Sequence, residues 1–251
     1  MFKTMIVAEL KRQIIEMKRY WFQTLLSMLF LNALFLAMFF GFKSFSKTTE
    51  AESLVSMIVG YALWILISTA YSTIARDIAT EDDTGTIEQV YISSPNFTNL
   101  LLIRVCVGSM IGIFTTMLTI LWTMAVTGIW FTVPVIILPI LVITLPSAIG
   151  IGFIIGGFGL YFKRIMPLTA AVNFSLIGAI SLPAETIFST LAPISRGATL
   201  VFDLVHGRIA NPLWMEILAI CTNSGIYFLL GLAVFKGFEN LAVKHGLLGQ
   251  H

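Results

Sequence analysis

The sequence predicts an all-α membrane protein with six transmembrane helices, and two observations lead there. Of its 251 residues, 57% are hydrophobic and only 11% are charged, whereas about 25% of residues are charged in a soluble domain. Uncharged runs longer than about 18 residues recur, and each is long enough to cross a hydrocarbon core of roughly 30 Å as a helix. The runs lack the polar–apolar alternation of barrel strands, so helices are the way to pair their backbone groups in lipid.

Residues 1–19 are predicted to form an amphipathic helix in the headgroup region of the membrane. Apolar residues recur there every three or four positions, and charged residues fill the other face. Such a helix places its cations against anionic lipid. An ordinary charged flank that orients the first span is the alternative interpretation.

Six spans are predicted within a single transmembrane domain, residues 1–251, and they cover residues 21–42, 53–75, 105–129, 134–162, 165–184 and 213–235. The third and fourth come from one uncharged run, Val105 to Phe162, which is about twice the length of one crossing. Gly128 and Pro134 punctuate this run, so we divide it near residues 130–133. Gly152 and Gly156 have a spacing that lets helices approach closely.

Residues 185–211 are too polar to span a membrane and too apolar for a solvated loop. Pro193 and Gly197 divide them into short pieces, which predicts an outer re-entrant helical hairpin whose break is satisfied by protein or water. Glu185, at its start, lines a polar vestibule or faces water, and both readings stay open. Asp203 and Arg208 are close enough in sequence to pair.

The basic residues favour a cytoplasmic amino terminus and a cytoplasmic carboxyl terminus. With this orientation, eleven of the fifteen basic residues lie on the inner side: Lys3, Lys11, Arg12, Lys18, Arg19, Arg76, Arg104, Lys163, Arg164, Lys236 and Lys244. The segment 77–97 is then cytoplasmic as well.

That segment contains the signals of a short capped helix. Gly85 gives a flexible entry, and Thr86 is a good N-cap with Gln89 completing a capping-box pattern. Acidic residues are expected near the positive end of this helix: Glu81, Asp82, Asp83 and Glu88. Apolar anchors follow at Ile87, Val90 and Tyr91, and the pair Ser94-Pro95 ends the helix.

In these residues the sequence resembles the type-2 permease subunits of ABC transporters, mainly exporters. The matching order is acidic residues, Gly85-Thr86, Ile87-Glu88 and then Ser94-Pro95. The sequence departs from the family pattern in having Thr84 immediately before Gly85 and Arg76 as the only cation near the acidic run. The resemblance extends to the basic arm, the six spans, the broken outer segment and the tail near Gly246 to Gly249.

The resemblance implies that segment 77–97 contains a coupling helix, which docks on a separate ATPase subunit. Its coupling residues would be Gly85, Thr86, Ile87, Glu88, Tyr91, Ser94 and Pro95. ATP and Mg would be bound by that partner subunit and not by this chain. A second copy of the chain or a related permease would complete the membrane part, in the plasma or inner membrane of a prokaryote. An amphiphile would be exported, and its binding residues cannot be read from the sequence.

No sequence pattern indicates catalysis, a metal site or nucleic-acid binding. HExxH, GxSxG and Gly-rich phosphate loops are absent from the sequence, so the chain is not predicted to be an enzyme. Cys106 and Cys221 lie in apolar runs, as expected of buried thiols. Glu216 is expected near the positive end of the last span.

The alternative function is an ATPase-independent secondary transporter or channel, for which intramembrane charges would be the distinguishing feature. A membrane anchor or assembly protein that transports nothing is a third reading.

Overall fold

The computed structural model describes residues 2–45, 51–93, 96–162, 165–182, 189, 191–208 and 212–246, and over these residues it is helical without strands. The helices are α1 (Phe2–Arg19), α2 (Trp21–Phe45), α3 (Ala51–Asp83), α4 (Ile87–Ser93), α5 (Phe97–Thr127), α6 (Ile137–Phe162), α7 (Met166–Ile180), α8 (Ser195–Val205) and α9 (Leu213–Lys244). Five of them (α2, α3, α5, α6 and α9) are long and apolar enough to cross a membrane. The predicted all-α membrane fold is therefore confirmed at this level.

Three of the long helices continue beyond the spans predicted for them. The spans were expected at residues 53–75, 105–129 and 213–235, but α3 reaches Asp83, α5 begins at Phe97 and α9 reaches Lys244. In each case the helix passes through the charged residues that mark the predicted border. Charge limits how deeply a segment enters lipid, whereas a helix ends at a cap, a glycine or a proline.

The segment predicted as the fifth span, residues 165–184, contains the 15-residue helix α7. At 1.5 Å per residue α7 is about 22 Å long, shorter than the roughly 30 Å of a hydrocarbon core. Residues 183–184 of this predicted span lie outside the described residues.

The long uncharged run is divided where glycine and proline punctuate it. Helix α5 ends at Thr127, and Gly128 follows with a φ of 72°, in the left-handed region that favours glycine. The N–H of Gly128 donates to the Met124 carbonyl and caps the helix. Helix α6 begins at Ile137, so the predicted division near residues 130–133 lies within the connection.

The segment predicted as a re-entrant hairpin, residues 185–211, contains α8, while residues 185–188, 190 and 209–211 lie outside the described part of the chain. Gly197 does not break this helix but lies inside it. A Cβ atom at Gly197 would overlap the Thr144 side chain of α6, so glycine is what lets α8 lie close against α6.

The core of the bundle is a close contact between α6 and α9. Gly150 and Gly231 face each other there, and a Cβ atom added to Gly231 would overlap the backbone of Gly150. A Cβ atom added to Gly150 would in turn overlap the carbonyl of Tyr227. The two backbones therefore touch without intervening side chains, as small residues permit in membrane helices.

Helix α6 also lies close to α3, through the predicted pair Gly152 and Gly156. A Cβ atom at Gly152 would lie 2.6 Å from the Tyr71 carbonyl oxygen, and one at Gly156 would lie 2.7 Å from Ile74 Cγ2. Together α3, α6 and α9 form a closely packed group in which small shifts of one helix must move the next.

We predict that Gly231→Ala lowers the free energy of unfolding by about 1–3 kcal/mol, because the added methyl group overpacks the α6–α9 contact. The matched control is Gly225→Ala on the same helix, where a Cβ atom meets nothing within 4 Å. That change should be neutral or stabilise by up to about 1 kcal/mol through helix propensity. Thermal unfolding in detergent measures both, and equal effects of the two variants would contradict the close contact.

Candidate functional site

Five charged side chains form a cluster that joins three helices at one end of the bundle. The members of this charged cluster are Glu9 and Arg12 of α1, Asp77 and Glu81 of α3, and Arg104 of α5. Glu9 is only 6% exposed and Arg104 only 7% exposed. Charged residues are rarely buried to this extent unless they are paired.

Arg104 is the centre of the cluster. Its Nη2 atom lies 3.2 Å from Glu81 Oε1, which is a charge-assisted hydrogen bond. Its Nη1 atom lies 3.6 Å from Asp77 Oδ2, and its Nε atom lies 3.9 Å from Glu9 Oε2. The last two are ion pairs without hydrogen-bond geometry. One guanidinium thus faces carboxylates from two other helices.

Arg12 links α1 to the same carboxylates. Its Nη2 atom donates to Glu9 Oε1 at 2.7 Å and lies 3.8 Å from Asp77 Oδ2. Burial lowers the pKa of Arg12, but the bond to Glu9 and the charges of Asp77 and Glu16 raise it by more, so the pKa lies above its ordinary value. Arg12 therefore stays charged and holds α1 against α3.

The charge balance of the cluster makes both cations necessary. Three carboxylates face two guanidiniums, so loss of either cation would leave buried carboxylates unpaired. Removing one partner of a buried ion pair typically destabilises a protein by about 3–5 kcal/mol. The cluster is therefore a strong constraint on how α1, α3 and α5 are arranged.

A tight turn follows the cluster at the end of α3. Gly85 has a φ of 69°, its N–H donates to the Asp82 carbonyl, and the Thr86 N–H donates to the Glu81 carbonyl. This pair of bonds is a Schellman motif, in which glycine adopts the left-handed conformation after a helix. The pair Gly85-Thr86 therefore ends α3 as well as beginning α4. The sequence pattern predicted only the second of these two roles.

The hydroxyl of Thr86 donates to the carboxylate of Glu81, and its oxygen does not accept from the Gln89 N–H as a capping box requires. The predicted capping box with Gln89 is wrong in this respect. The backbone nevertheless places Thr86 at the N-cap, because its carbonyl accepts from the Val90 N–H. Glu81 accepts from both Thr86 and Arg104, so one carboxylate joins the turn to α5.

Helix α4 has one buried face and one exposed face. Ile87 is 2% exposed and, with Val90 and Tyr91, packs against the hydrophobic core. Glu88 and Gln89 are exposed, and so is Ile92, at 76%. Helix α4 is thus amphipathic, with an apolar face on the core and a mainly polar face turned outward.

The predicted coupling residues are brought together only in part. Gly85, Thr86, Ile87, Glu88 and Tyr91 lie on the turn and on α4 as expected, with Glu88 in the first turn of the helix. Ser94 and Pro95 lie outside the described residues.

The acidic run has a different place from the one predicted. Glu81, Asp82 and Asp83 belong to the last turn of α3, the negative end of a helix, where carboxylates are unfavourable. Glu81 is stabilised there by Arg104, which the sequence analysis used only to orient the membrane spans. The signal for this pairing was an isolated arginine in an otherwise apolar run.

Aromatic rings connect α4 to the closely packed helices. The ring centroids of Tyr91 and Phe97 are 5.6 Å apart, those of Phe97 and Phe235 are 6.3 Å apart, and those of Phe235 and Phe153 are 5.2 Å apart. Phe153 and Phe235 are fully buried. The series runs from α4 through α5 and α9 to α6, at distances typical of interacting rings.

A polar cleft of about 330 Å³ lies beside α4, between the start of α5 and the last turns of α9. Thr98 donates to Glu239 at 3.2 Å in its wall, and Lys236 and Tyr91 line it as well. The cleft adds polar surface next to the exposed face of α4.

The other predicted side chains lie apart from this region. Arg208 pairs with Glu52 at 2.8 Å and not with Asp203, so that predicted pair is wrong. Glu216 is in the first turn of α9, as expected, and its carboxylate lies 2.9 Å from Arg196 Nε.

The sequence analysis also made predictions for two cysteines and for Glu185. Cys106 and Cys221 are exposed on the surface of the bundle, so the expectation of buried thiols is wrong. Glu185 lies outside the described residues.

No protein-family model matches the chain, and no curated protein matches it. Fold and site together define an all-helical membrane protein with five helices long enough to span a bilayer. At one end it has a buried charged cluster and a short helix exposed on its outer face.

We predict that Arg104→Leu lowers the free energy of unfolding by about 3–5 kcal/mol, because it leaves buried carboxylates unpaired. Arg208→Leu is the matched control: its pair with Glu52 is exposed, and its loss should cost less than about 1 kcal/mol. Adding Glu81→Gln to Arg104→Leu should restore part of the loss, since one unpaired carboxylate is then removed. Thermal unfolding in detergent ranks the stabilities of these variants. A similar loss of stability in Arg104→Leu and Arg208→Leu would contradict the role of the cluster.

Proposed function

We propose that the chain is the membrane-spanning permease subunit of an ATP-driven ABC exporter. It would form the translocation pathway for an amphiphilic substrate and couple to a separate ATPase subunit. The observation that supports this most is helix α4, which is short, connects two long helices, and is anchored on one face and exposed on the other. These are the properties that a coupling helix needs.

The exposed face of α4 is the proposed contact with the ATPase. Ile92 would enter an apolar groove of the partner, and Glu88 would pair with a cation at its rim. ATP and Mg would be bound on the partner. The motif residues of the resemblance, Gly85 and Thr86, act here by holding the turn rather than by touching the partner.

Movement of α4 would reach the rest of the molecule by two routes. The turn at Gly85 joins α4 to Glu81, and from there to Arg104 and α5. The aromatic contacts from Tyr91 to Phe235 join it to α9 and α6. Both routes are direct contacts between neighbouring side chains, so a displacement by the ATPase would be passed on along them.

In this proposal the charged end of the bundle and both termini are cytoplasmic, and the membrane is the plasma or inner membrane of a prokaryote. Helix α7 would be the fifth of six crossings and the shortest one, which a bilayer accommodates by local thinning. A second copy of the chain or a related permease would complete the pathway.

The placement of charges argues against the alternative of an ion-coupled secondary transporter or channel. In the described residues, the charged side chains of the long helices lie in the first or last third of each helix. Ion-coupling groups are instead expected near the middle of the bilayer.

We predict that Glu88→Lys weakens binding of the ATPase subunit about tenfold or more, because it reverses the charge of the docking surface. Co-purification of the tagged chain in mild detergent, with assay of ATPase activity, measures this. Glu52→Lys is the control, since Glu52 is also exposed but lies at the opposite end of α3, roughly 50 Å from α4 along the helix.

Loss of the co-purifying ATPase in the Glu88→Lys variant alone is the expected result. A protein that purifies without any ATPase, or an ATPase retained equally by both variants, would contradict the docking role of α4. In the first case the secondary transporter becomes the better proposal.

A further inference from the structure

A large cavity, the lateral cavity, lies between α2, α3 and α7. Its volume is about 920 Å³, and its walls are formed by α2, α3 and α7, with α8 at one end. This volume is within the range of about 300–1,000 Å³ that is usual for small-molecule sites. None of the described residues that line it is charged.

The rim of the cavity is apolar and exposed. Met38 of α2 is 63% exposed and Phe174 of α7 is 75% exposed, and both line the cavity. In a protein whose long helices cross a bilayer, this rim faces the hydrocarbon chains of lipid. A ligand can therefore reach the cavity sideways, from within the membrane.

One wall contains a hydroxyl group that has no partner. Tyr61 is 9% exposed, its ring stacks on Phe35 with centroids 4.0 Å apart, and it lines the cavity. Its hydroxyl oxygen is buried and forms no hydrogen bond within the described part of the chain. A buried polar group without a partner is destabilising, so a ligand that supplies one gains affinity.

Asn173 presents a second hydrogen-bonding group. Trp64 Nε1–H and Ser68 Oγ–H both donate to its side-chain oxygen, at 2.8 and 2.9 Å. Because the indole N–H is only a donor, the accepting atom must be Oδ1. The NH₂ group of Asn173 is thereby fixed in orientation, and its two N–H groups are left to donate elsewhere.

The two groups belong to one continuous surface. Tyr61, Trp64 and Ser68 follow one another at spacings of three and four on α3, so they share one face of that helix. Tyr61 and Asn173 both line the cavity, so its mainly apolar wall contains one residue with a hydroxyl and one with an amide donor.

We propose that the lateral cavity binds an uncharged amphiphile whose head carries a hydrogen-bond acceptor, such as an ester or amide carbonyl. The head accepts from Asn173 and Tyr61, and the chain lies along the apolar walls of α2 and α7. A charged head is excluded because nothing in the described wall compensates its burial. Binding requires only this chain, whereas transport of the ligand rests on the proposed function.

The test uses the purified full chain in detergent and a photoactivatable probe, monooleoylglycerol with a diazirine in its acyl chain. Unlabelled competitors share the same chain and differ in the head: monooleoylglycerol, oleate and oleyl-trimethylammonium. We expect labelling of α2, α3 or α7 that the neutral competitor displaces at least about tenfold better than either charged one. Equal competition by all three, or displacement by phosphatidylcholine at similar concentration, would show nonselective lipid contact and overturn the proposal.

Two variants test the head group contacts. Tyr61→Phe keeps the ring stacked on Phe35 and removes only the hydroxyl. Asn173→Leu keeps a side chain branched at Cγ and removes the donors, together with the oxygen that accepts from Trp64 and Ser68. Each should weaken probe binding about 5- to 10-fold, as expected for one lost hydrogen bond. The control Tyr227→Phe removes a hydroxyl that donates to the Leu191 carbonyl outside the cavity, and binding should be unchanged.

Unchanged binding in Tyr61→Phe would overturn the proposal. Should Asn173→Leu fail to fold, Tyr61→Phe and the competitor series decide alone. Because binding is measured without an ATPase, its outcome is separate from that of the Glu88→Lys experiment. Stimulation of ATPase activity by monooleoylglycerol in the assembled transporter, lost in Tyr61→Phe, then tests whether the bound amphiphile is the transported one.

Discussion

The buried guanidinium of Arg104 is the interaction on which the arrangement at the charged end of the bundle depends. It neutralises Glu81 at the negative end of α3, where a carboxylate would otherwise oppose the helix dipole. With Glu81 neutralised, the turn at Gly85 can close on it through Thr86. The position of α4 thus follows from one ion pair and one left-handed glycine. Removing either changes where the exposed face of α4 points, even though neither group lies on that face.

The rest of the molecule divides into a closely packed part and an open part. Glycines bring α6 into backbone contact with α9 and α3, so these helices are expected to move together. Helix α2 is different: Phe35 and Phe39 are its buried residues in the described part of the chain, and most of its apolar surface is exposed. The lateral cavity lies along this loosely held helix. A ligand entering there needs to displace side chains at the edge of the molecule and not those of the core.

Sequence reasoning predicted the class of protein because hydropathy over about 20 residues is a strong constraint on a membrane helix. It predicted the break after Gly128 for the same kind of local reason. Helices α3, α5 and α9 continue past the borders of their predicted spans, and charges such as Arg104 in these continuations are paired with residues far away in sequence, such as Glu9. Side-chain pairing of this kind depends on tertiary structure and leaves no local pattern. The cavity was not predicted for the same reason, since the residues with hydrogen-bond donors that line it, Tyr61 and Asn173, are 112 positions apart in sequence.

Helix α1 connects the charged cluster to α2, which forms a wall of the lateral cavity. Its last turn continues almost directly into α2, because the Tyr20 N–H donates to the Glu16 carbonyl and the Thr24 N–H donates to the Tyr20 carbonyl. Glu9 ties the same helix to Arg104, and so to the turn that supports α4. A displacement of α4 that strains the charged cluster would therefore pull on α1 and shift α2, which is a wall of the lateral cavity. Under the proposed function the amphipathic arm would then have a mechanical role, because the most exposed wall of the cavity is the one connected through α1 to the charged cluster beside α4.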